Sequence, residues 1–272
     1  MNCFSQYSRF ISLHGLLNIC YDLKYRGLFD LGILTKKRLF DLVIRLQHAF
    51  LSWKDYFDRH ISITNRSECD EVLNDYSASP IFWSNLTIFK IALISLYVDT
   101  STILKYSSNL NDHKLITKIQ NWTKSSEGES CVIESCRFLI IVINNVEIIH
   151  SVPHVAYCTF LVCLILWSFE TNRQISAFNS TNMLTPLTPR KYFDADNNLL
   201  IETVGNDATN YLSGILENNN INVENFEEYC TRQQQVIALI TYIIGILKEN
   251  CSWENIGPRI EVLEKVLKTY DE

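Results

Sequence analysis

Fifteen consecutive residues, Val155 to Phe169, carry no charge, and they form the heart of the stretch VPHVAYCTFLVCLILWSFE. A helix that crosses a bilayer needs ~20 predominantly apolar residues, usually bordered by aromatic and basic side chains. This run is shorter, begins beside His154 and closes on Glu170 and Arg173. Its length predicts a helix surrounded by protein on all sides, at the centre of a core.

The rest of the chain suits such a core. With 272 residues there is enough material to bury a large interior. Only 8 Gly and 5 Pro occur, which leaves few of the residues that build tight turns and favours long helices. The opening MNCFSQYSRFISLHGLLNIC has no compact basic start, no unbroken apolar core and no small-residue cleavage site, so it reads as helix and not as a signal peptide. In LFDLVIRLQHAFLSWKDYFD, Leu39, Leu42, Val43, Leu46, Ala49, Phe50, Trp53 and Phe57 recur every three or four residues and define one apolar stripe.

A polar loop is expected around 61–79, after which Ser79 caps and Pro80 opens a second long helix, SPIFWSNLTIFKIALISLYVDT. HKLITKIQNWTK sets Leu115, Ile116, Ile119 and Trp122 on one face, and SSEGES separates it from the apolar stretch that begins near Cys131. SVPHVAYC enters the central helix, which should end near ETNRQ. After a loop holding Pro186 and Pro189, helical patterns run from Leu199 to Leu216, Phe226 to Leu247 and Ile260 to Tyr270. No repeat and no long linker interrupts this, so the expectation is a single all-α domain, a bundle of about eight to ten helices over residues 1–272.

A formal charge of -6, with both signs interspersed, offers no basic field to nucleic acid or anionic lipid. Nine cysteines, an odd number scattered among apolar residues, fit a reducing compartment. Five N-x-[ST] triplets, at Asn65, Asn85, Asn121, Asn179 and Asn250, are what a chain rich in Asn, Ser and Thr produces by chance.

Cys131, Cys136, His150 and His154 are spaced as C-x4-C-x13-H-x3-H, close to a zinc finger. A finger needs a hairpin and a basic reading helix, whereas RFLIIVINNVEII fills the interval with core residues, and Pro153 divides the histidines. These four are therefore expected in core and helix ends, with no metal, cofactor or catalytic residue assigned. Cys158 and Cys163 lie five apart on a helix and read as small core side chains. GLFDLG, Gly27 to Gly32, lacks the Lys and Ser/Thr of a phosphate loop and reads as a turn. The basic run Lys36 to Arg38 reads as the solvated end of a helix.

Taken in order, LHGLLNICYDLKYRGLFDLGILTKKRLFDLVIRLQHAFLSWKDYFD, SPIFWSNLTIFKIALISLY and HVAYCTFLVCLILWSF resemble the fungal-specific transcription factor domain. So does the closing pattern of a helix, Trp253 and a final helix. The resemblance runs from about Leu13 to Leu267 and rests on His14-Gly15 with Asp22, on Trp53 ending a long helix, and on Ser79-Pro80 with Phe82-Trp83. It is nearest to the members with paired Cys2His2 fingers, then to those with a binuclear zinc cluster.

The resemblance implies an all-helical regulatory domain of a nuclear RNA polymerase II regulator. Its partners would be proteins of the transcription machinery or a second copy, with no membrane and an unidentified effector. No finger or cysteine cluster precedes Leu13. The chain is therefore expected to be a fragment or a truncated product beginning inside the domain, without sequence-specific DNA binding of its own. Two other readings remain, a multi-helix membrane protein and a helical enzyme with a dispersed site.

Overall fold

The computed structural model describes residues 6–25, 35–64, 79–173, 201–218, 221, 223 and 226–270. These residues hold eleven α-helices, one short 3-10 turn and no strand. The architecture is all-α, as the periodicity predicts, with one helix more than the upper end of the expected range. The chain divides into two compact units, Met1–Asp99 and Thr100–Glu272, that follow one another directly. The sequence offers no linker to mark that division.

The first unit contains α1 (Gln6–Tyr25), α2 (Lys36–Thr64) and α3 (Pro80–Tyr97). The stripe on α2 behaves as its spacing demands: Leu46, Phe50, Trp53 and Phe57 are buried, and Leu39, Leu42, Val43 and Ala49 are half-buried at its margin. Leu13 and Cys20 of α1 and Ile88, Phe89 and Leu93 of α3 complete the same core. Each large apolar side chain removed from water there contributes about 1.5–3 kcal/mol.

The aromatic rings form a ladder through this core. Trp53 stacks on Phe57 at 5.1 Å and on Phe89 at 5.9 Å, Phe57 on Phe82 at 5.6 Å, and Phe82 meets Trp83 edge-on at 5.1 Å. The Trp53 indole N–H donates to the Arg9 carbonyl at 3.1 Å, so its polar atom is satisfied inside the apolar stack. Pro80 does occupy the first turn of α3, where a missing N–H is harmless. Ser79 sits at the cap position, but its hydroxyl makes no capping bond; its carbonyl accepts from Phe82 and Trp83 instead.

The second unit contains α4 (Thr100–Ser108), α5 (His113–Thr123), α6 (Ser126–Asn144), α7 (Ile148–Ser151), α8 (Pro153–Asn172), α9 (Ile201–Asn218), α10 (Phe226–Asn250), the 3-10 turn (Glu254–Ile256) and α11 (Gly257–Lys268). Helix α8 is its axis, packed against α4, α5, α6, α7, α10 and α11. Every residue from Val155 to Phe169 is buried except Tyr157. By length and hydropathy alone α3 and α8 could each cross a membrane, but α8 is buried within the protein over most of its length, whereas less than half of α3 is.

Two boundaries differ from the sequence reading, and one follows it. SSEGES is not a separator but the capped first turn of α6: the Ser125 hydroxyl accepts from the Gly128 N–H at 3.1 Å. Gly128 is required there, since a Cβ would lie 2.3 Å from the Trp122 carbonyl oxygen. Helix α4 is separate from α3 because Val98 is extended, with φ -135° and ψ 145°. The central helix begins at Pro153 as expected: the proline ring disfavours helical geometry in the residue before it, so Val152 is extended and α7 is split from α8.

The expected turn at Gly27 to Gly32 and the loop with Pro186 and Pro189 lie outside the described residues, as does most of the loop expected around 61–79. Helix α2 continues to Thr64, past the expected start of that loop. All seven described cysteines are free thiols.

Candidate functional site

The sequence-derived zinc spacing does not assemble into a site. Cys131 and Cys136 are buried in α6, His150 is exposed on α7 with Ser252 3.4 Å from its Nδ1, and His154 is half-buried in the first turn of α8. Among the described residues no three His, Cys, Asp or Glu side chains come close enough to share a metal ion. Cys158 and Cys163 are core side chains, and burial pushes the Cys158 thiol up to about 12. Lys37 and Arg38 are exposed at the start of α2. Of the five Asn triplets, Asn85 is wholly buried, its amide donating to the Ile81 carbonyl at 2.9 Å, which leaves it inaccessible to modification in this fold.

The polar centre of the molecule lies elsewhere, in the last turn of α8. Because α8 is enclosed on all sides, a carboxylate placed near its end has no route to water: Glu170 is 0% exposed. A helix end leaves its last carbonyls without partners, and here neighbouring side chains supply them. Gln233 of α10 donates to the Glu170 carbonyl at 2.7 Å, and Asn172 donates back to the Ser168 carbonyl at 2.9 Å and to the Tyr106 hydroxyl at 3.0 Å.

The carboxylate itself has one hydrogen bond, from the Tyr211 hydroxyl of α9 to Oε1 at 3.1 Å. Its Oε2 lies 3.5 Å from Nη1 of Arg173, too far for a good hydrogen bond, and neither atom has a hydrogen-bond partner among the described residues. The Arg173 guanidinium also covers the Phe169 ring at 5.0 Å. Across the centre, Arg232 donates to the Ile221 carbonyl at 2.8 Å and to Glu228 at 3.0 Å.

Electrostatics follow from this enclosure. Burial raises the Glu170 pKa, and the nearby charges of Arg173 and Arg232 with the Tyr211 bond only partly oppose it. The same carboxylate, after burial, helps hold the Tyr211 phenol and the Cys136 thiol well above their ordinary values. The negative end of the α8 dipole points at the same place, which further disfavours an anion.

A hydrogen-bond chain leads from this centre to the chain end. The Tyr270 hydroxyl donates to Gln233 Oε1 at 3.2 Å and lies 3.0 Å from Thr171 Oγ1. Chemically the arrangement can hold a proton and join α8, α9, α10 and the C-terminal turn. Glu170 and Tyr211 are both enclosed.

In the sequence, Glu170 and Arg173 read only as the polar border of a helix. The overlooked signal is a Glu in the last turn of an otherwise uncharged run, with an Arg three residues on. Nothing local marks Tyr211, Gln233 or Tyr270, which arrive from 41 to 100 positions later.

A second feature is the exposed apolar surface of the first unit. Among the described residues, eight of the ten exposed large apolar side chains lie on α1 and α2. Tyr7 and Ile11 are one turn apart on α1, and Phe40 and Ile44 are one turn apart on α2, with Leu51 two turns further along the same face.

Set against known protein families, curated proteins and solved structures, the chain matches none.

Proposed function

We propose that these 272 residues form a regulatory module of a fungal RNA polymerase II transcription factor, acting in the nucleus through protein contacts, without catalysis and without a DNA-reading element of its own. The observation that carries this reading is the aromatic ladder. Trp53, Phe82 and Trp83, on which the family resemblance rests, are linked through Phe57 in one continuous stack. The motif residues, far apart in sequence, thus belong to one structural device.

Two further features support protein contact as the mode of action. Exposed apolar side chains gathered on α1 and α2 are the raw material of an interface. A net charge of -6, with Lys37 and Arg38 as a small exposed basic group heading α2, argues against recognition of DNA.

The test is a reporter assay. Fused to a foreign DNA-binding domain, the chain changes expression from a promoter bearing that domain's site, and unfused it does not. Phe40→Asp with Ile44→Asp abolishes the effect while leaving helicity unchanged. A fusion with no effect, or selection of one DNA motif by the isolated chain, overturns the reading.

The second reading, a membrane-embedded chain, has the apolarity of α3 in its favour, with a mean window hydropathy of 1.3. Retention in the pellet after carbonate extraction would establish it. Release into the supernatant supports a soluble intracellular protein.

A further inference from the structure

Glu170 is surrounded by groups from several segments. Arg173 of its own helix end stands at 3.5 Å. From α10 come Glu228, Tyr229 and Arg232, from α9 Tyr211, from α6 Cys136, and from the C-terminal turn Tyr270. Helix α4 brings the Tyr106 hydroxyl to Asn172, and α5 brings the uncharged Trp122 edge-on against Phe169 at 5.7 Å. The lysines Lys265 and Lys268 of α11 are exposed.

The two cations differ in their commitments. Arg232 is engaged by the Ile221 carbonyl and Glu228. Arg173 has an unsatisfied Nη1 opposite an unsatisfied Oε2. A carboxylate ionised here has one hydrogen bond and an imperfect ion pair, in a dry site, at the negative end of a helix. Its least disruptive route to water is to remove the cover that already borders solvent.

The C-terminal turn borders this helix end, with the Tyr270 hydroxyl 3.0 Å from Thr171 Oγ1. Tyr270 is half-buried and Thr171, to which it is bonded, is exposed, whereas Gln233 beneath them is 2% exposed. Two side-chain hydrogen bonds and apolar packing of Leu267 and Tyr270 near Val204 and Ile237 hold the end of the chain down. Gln233 is the link, taking the Tyr270 hydroxyl on its oxygen and donating its amide to the Glu170 backbone carbonyl.

We propose that the C-terminal turn, Thr269–Tyr270, is a proton-gated latch over the last turn of α8, closed while Glu170 is protonated and released when Glu170 ionises. On release the proton passes to bulk water, water reaches Oε2 and Arg173, and Tyr270 exchanges Gln233 and Thr171 for solvent. No bond other than O–H is broken. The latch belongs to the second unit alone and does not depend on the chain being a transcription regulator.

Hydrogen–deuterium exchange of the full chain, corrected for the intrinsic dependence of exchange on pH, reads the opening directly. In the peptide covering 257–270 the opening constant rises about tenfold per pH unit above the ordinary carboxyl value of 4.5, because one proton leaves on opening, and levels off once the closed form ionises. Peptides from the interior of α8, which exchange only when the whole unit unfolds, share the slope but open with a far smaller constant at every pH, and peptides from α3 show no such rise. Glu170→Gln flattens the curve for 257–270. Tyr270→Phe moves the curve up at every pH and preserves its slope.

A parent curve that is flat overturns the proposal, as does the same rise in Glu170→Gln or an opening constant in 257–270 equal to that of the α8 interior, which would mean unfolding of the unit instead of release of the latch. If Glu170→Gln lacks the parent's circular dichroism spectrum, Tyr270→Phe decides. Superposition of its curve on the parent's then overturns the proposal.

Discussion

The aromatic ladder of the first unit and the Glu170 centre of the second are both interior, yet they hold their surroundings by different physics. The ladder is apolar: Trp53, Phe57, Phe82 and Phe89 stack at 5.1 to 5.9 Å, and its indole N–H is satisfied by a backbone carbonyl. Its contribution scales with area and packing and is indifferent to protons. The Glu170 centre joins four segments through directional bonds, and among the described residues one carboxylate oxygen and one guanidinium nitrogen find no hydrogen bond. A dry core gives stability, while a centre with an incompletely paired charge makes stability conditional on pH.

The sharpest way to break this comparison is to put a second charge where the second unit has none. Leu164 is 0% exposed at the middle of α8. Leu164→Asp desolvates a carboxylate that has no partner and removes apolar contacts, so a loss of about 5 kcal/mol is expected. Equilibrium denaturation measures it. A variant that unfolds with the parent would mean this face of α8 is not enclosed.

Next in size is the matching deletion in the first unit. Trp53→Ala removes the ring shared by Phe57 and Phe89 and the donor to the Arg9 carbonyl. The expected loss is about 3–5 kcal/mol, equal at pH 5 and pH 8, because no titrating group takes part. A loss that changed with pH would contradict the description of this core as apolar.

These two residues also show what the sequence reveals. Trp53 and Leu164 are both legible: one falls on a 3.6-residue stripe, the other inside an uncharged run too long for a loop and too short for a bilayer. Each is settled by neighbours within a few turns. Glu170 is legible only as a boundary. Its meaning depends on Tyr211, Gln233 and Tyr270, and no local spacing links residues that meet only after α9, α10 and the chain end fold against α8. The zinc spacing misleads in the opposite sense, since four residues close in sequence are placed in separate environments by the breaks at Asn145 and Pro153. The same proline marks where Val152 must leave helical geometry.

Glu170→Gln probes the pH term itself. The folded pKa of Glu170 is raised by burial above its ordinary 4.5. A group raised in this way contributes stability that is fully present below the unfolded value and lost as pH rises through the folded value. The parent therefore loses stability above about pH 4.5, at a slope of at most ~1.4 kcal/mol per pH unit for one proton. Glu170→Gln removes that slope, matches the parent near pH 4 and exceeds it at pH 8. Thermal melts across that range check it, and a variant less stable than the parent at pH 8 would show that Arg173 compensates the carboxylate fully.

The smallest effects compare helix starts in the two units. Asp112 accepts from the Lys114 and Leu115 N–H groups at 2.9 and 3.3 Å, and Ser125 accepts from Gly128 at 3.1 Å. Each satisfies a donor that a helix start leaves open, so Asp112→Ala and Ser125→Ala are each expected to lose about 1 kcal/mol. Ser79 holds the corresponding position before α3, yet its hydroxyl caps nothing and Pro80 has already removed one open donor. Ser79→Ala should therefore change stability by less than ~0.5 kcal/mol. Urea denaturation of the three variants separates the cases: a loss at Ser79 equal to that at Asp112 would mean the hydroxyl does bond the first turn of α3 in solution, and the two units would then begin their helices alike.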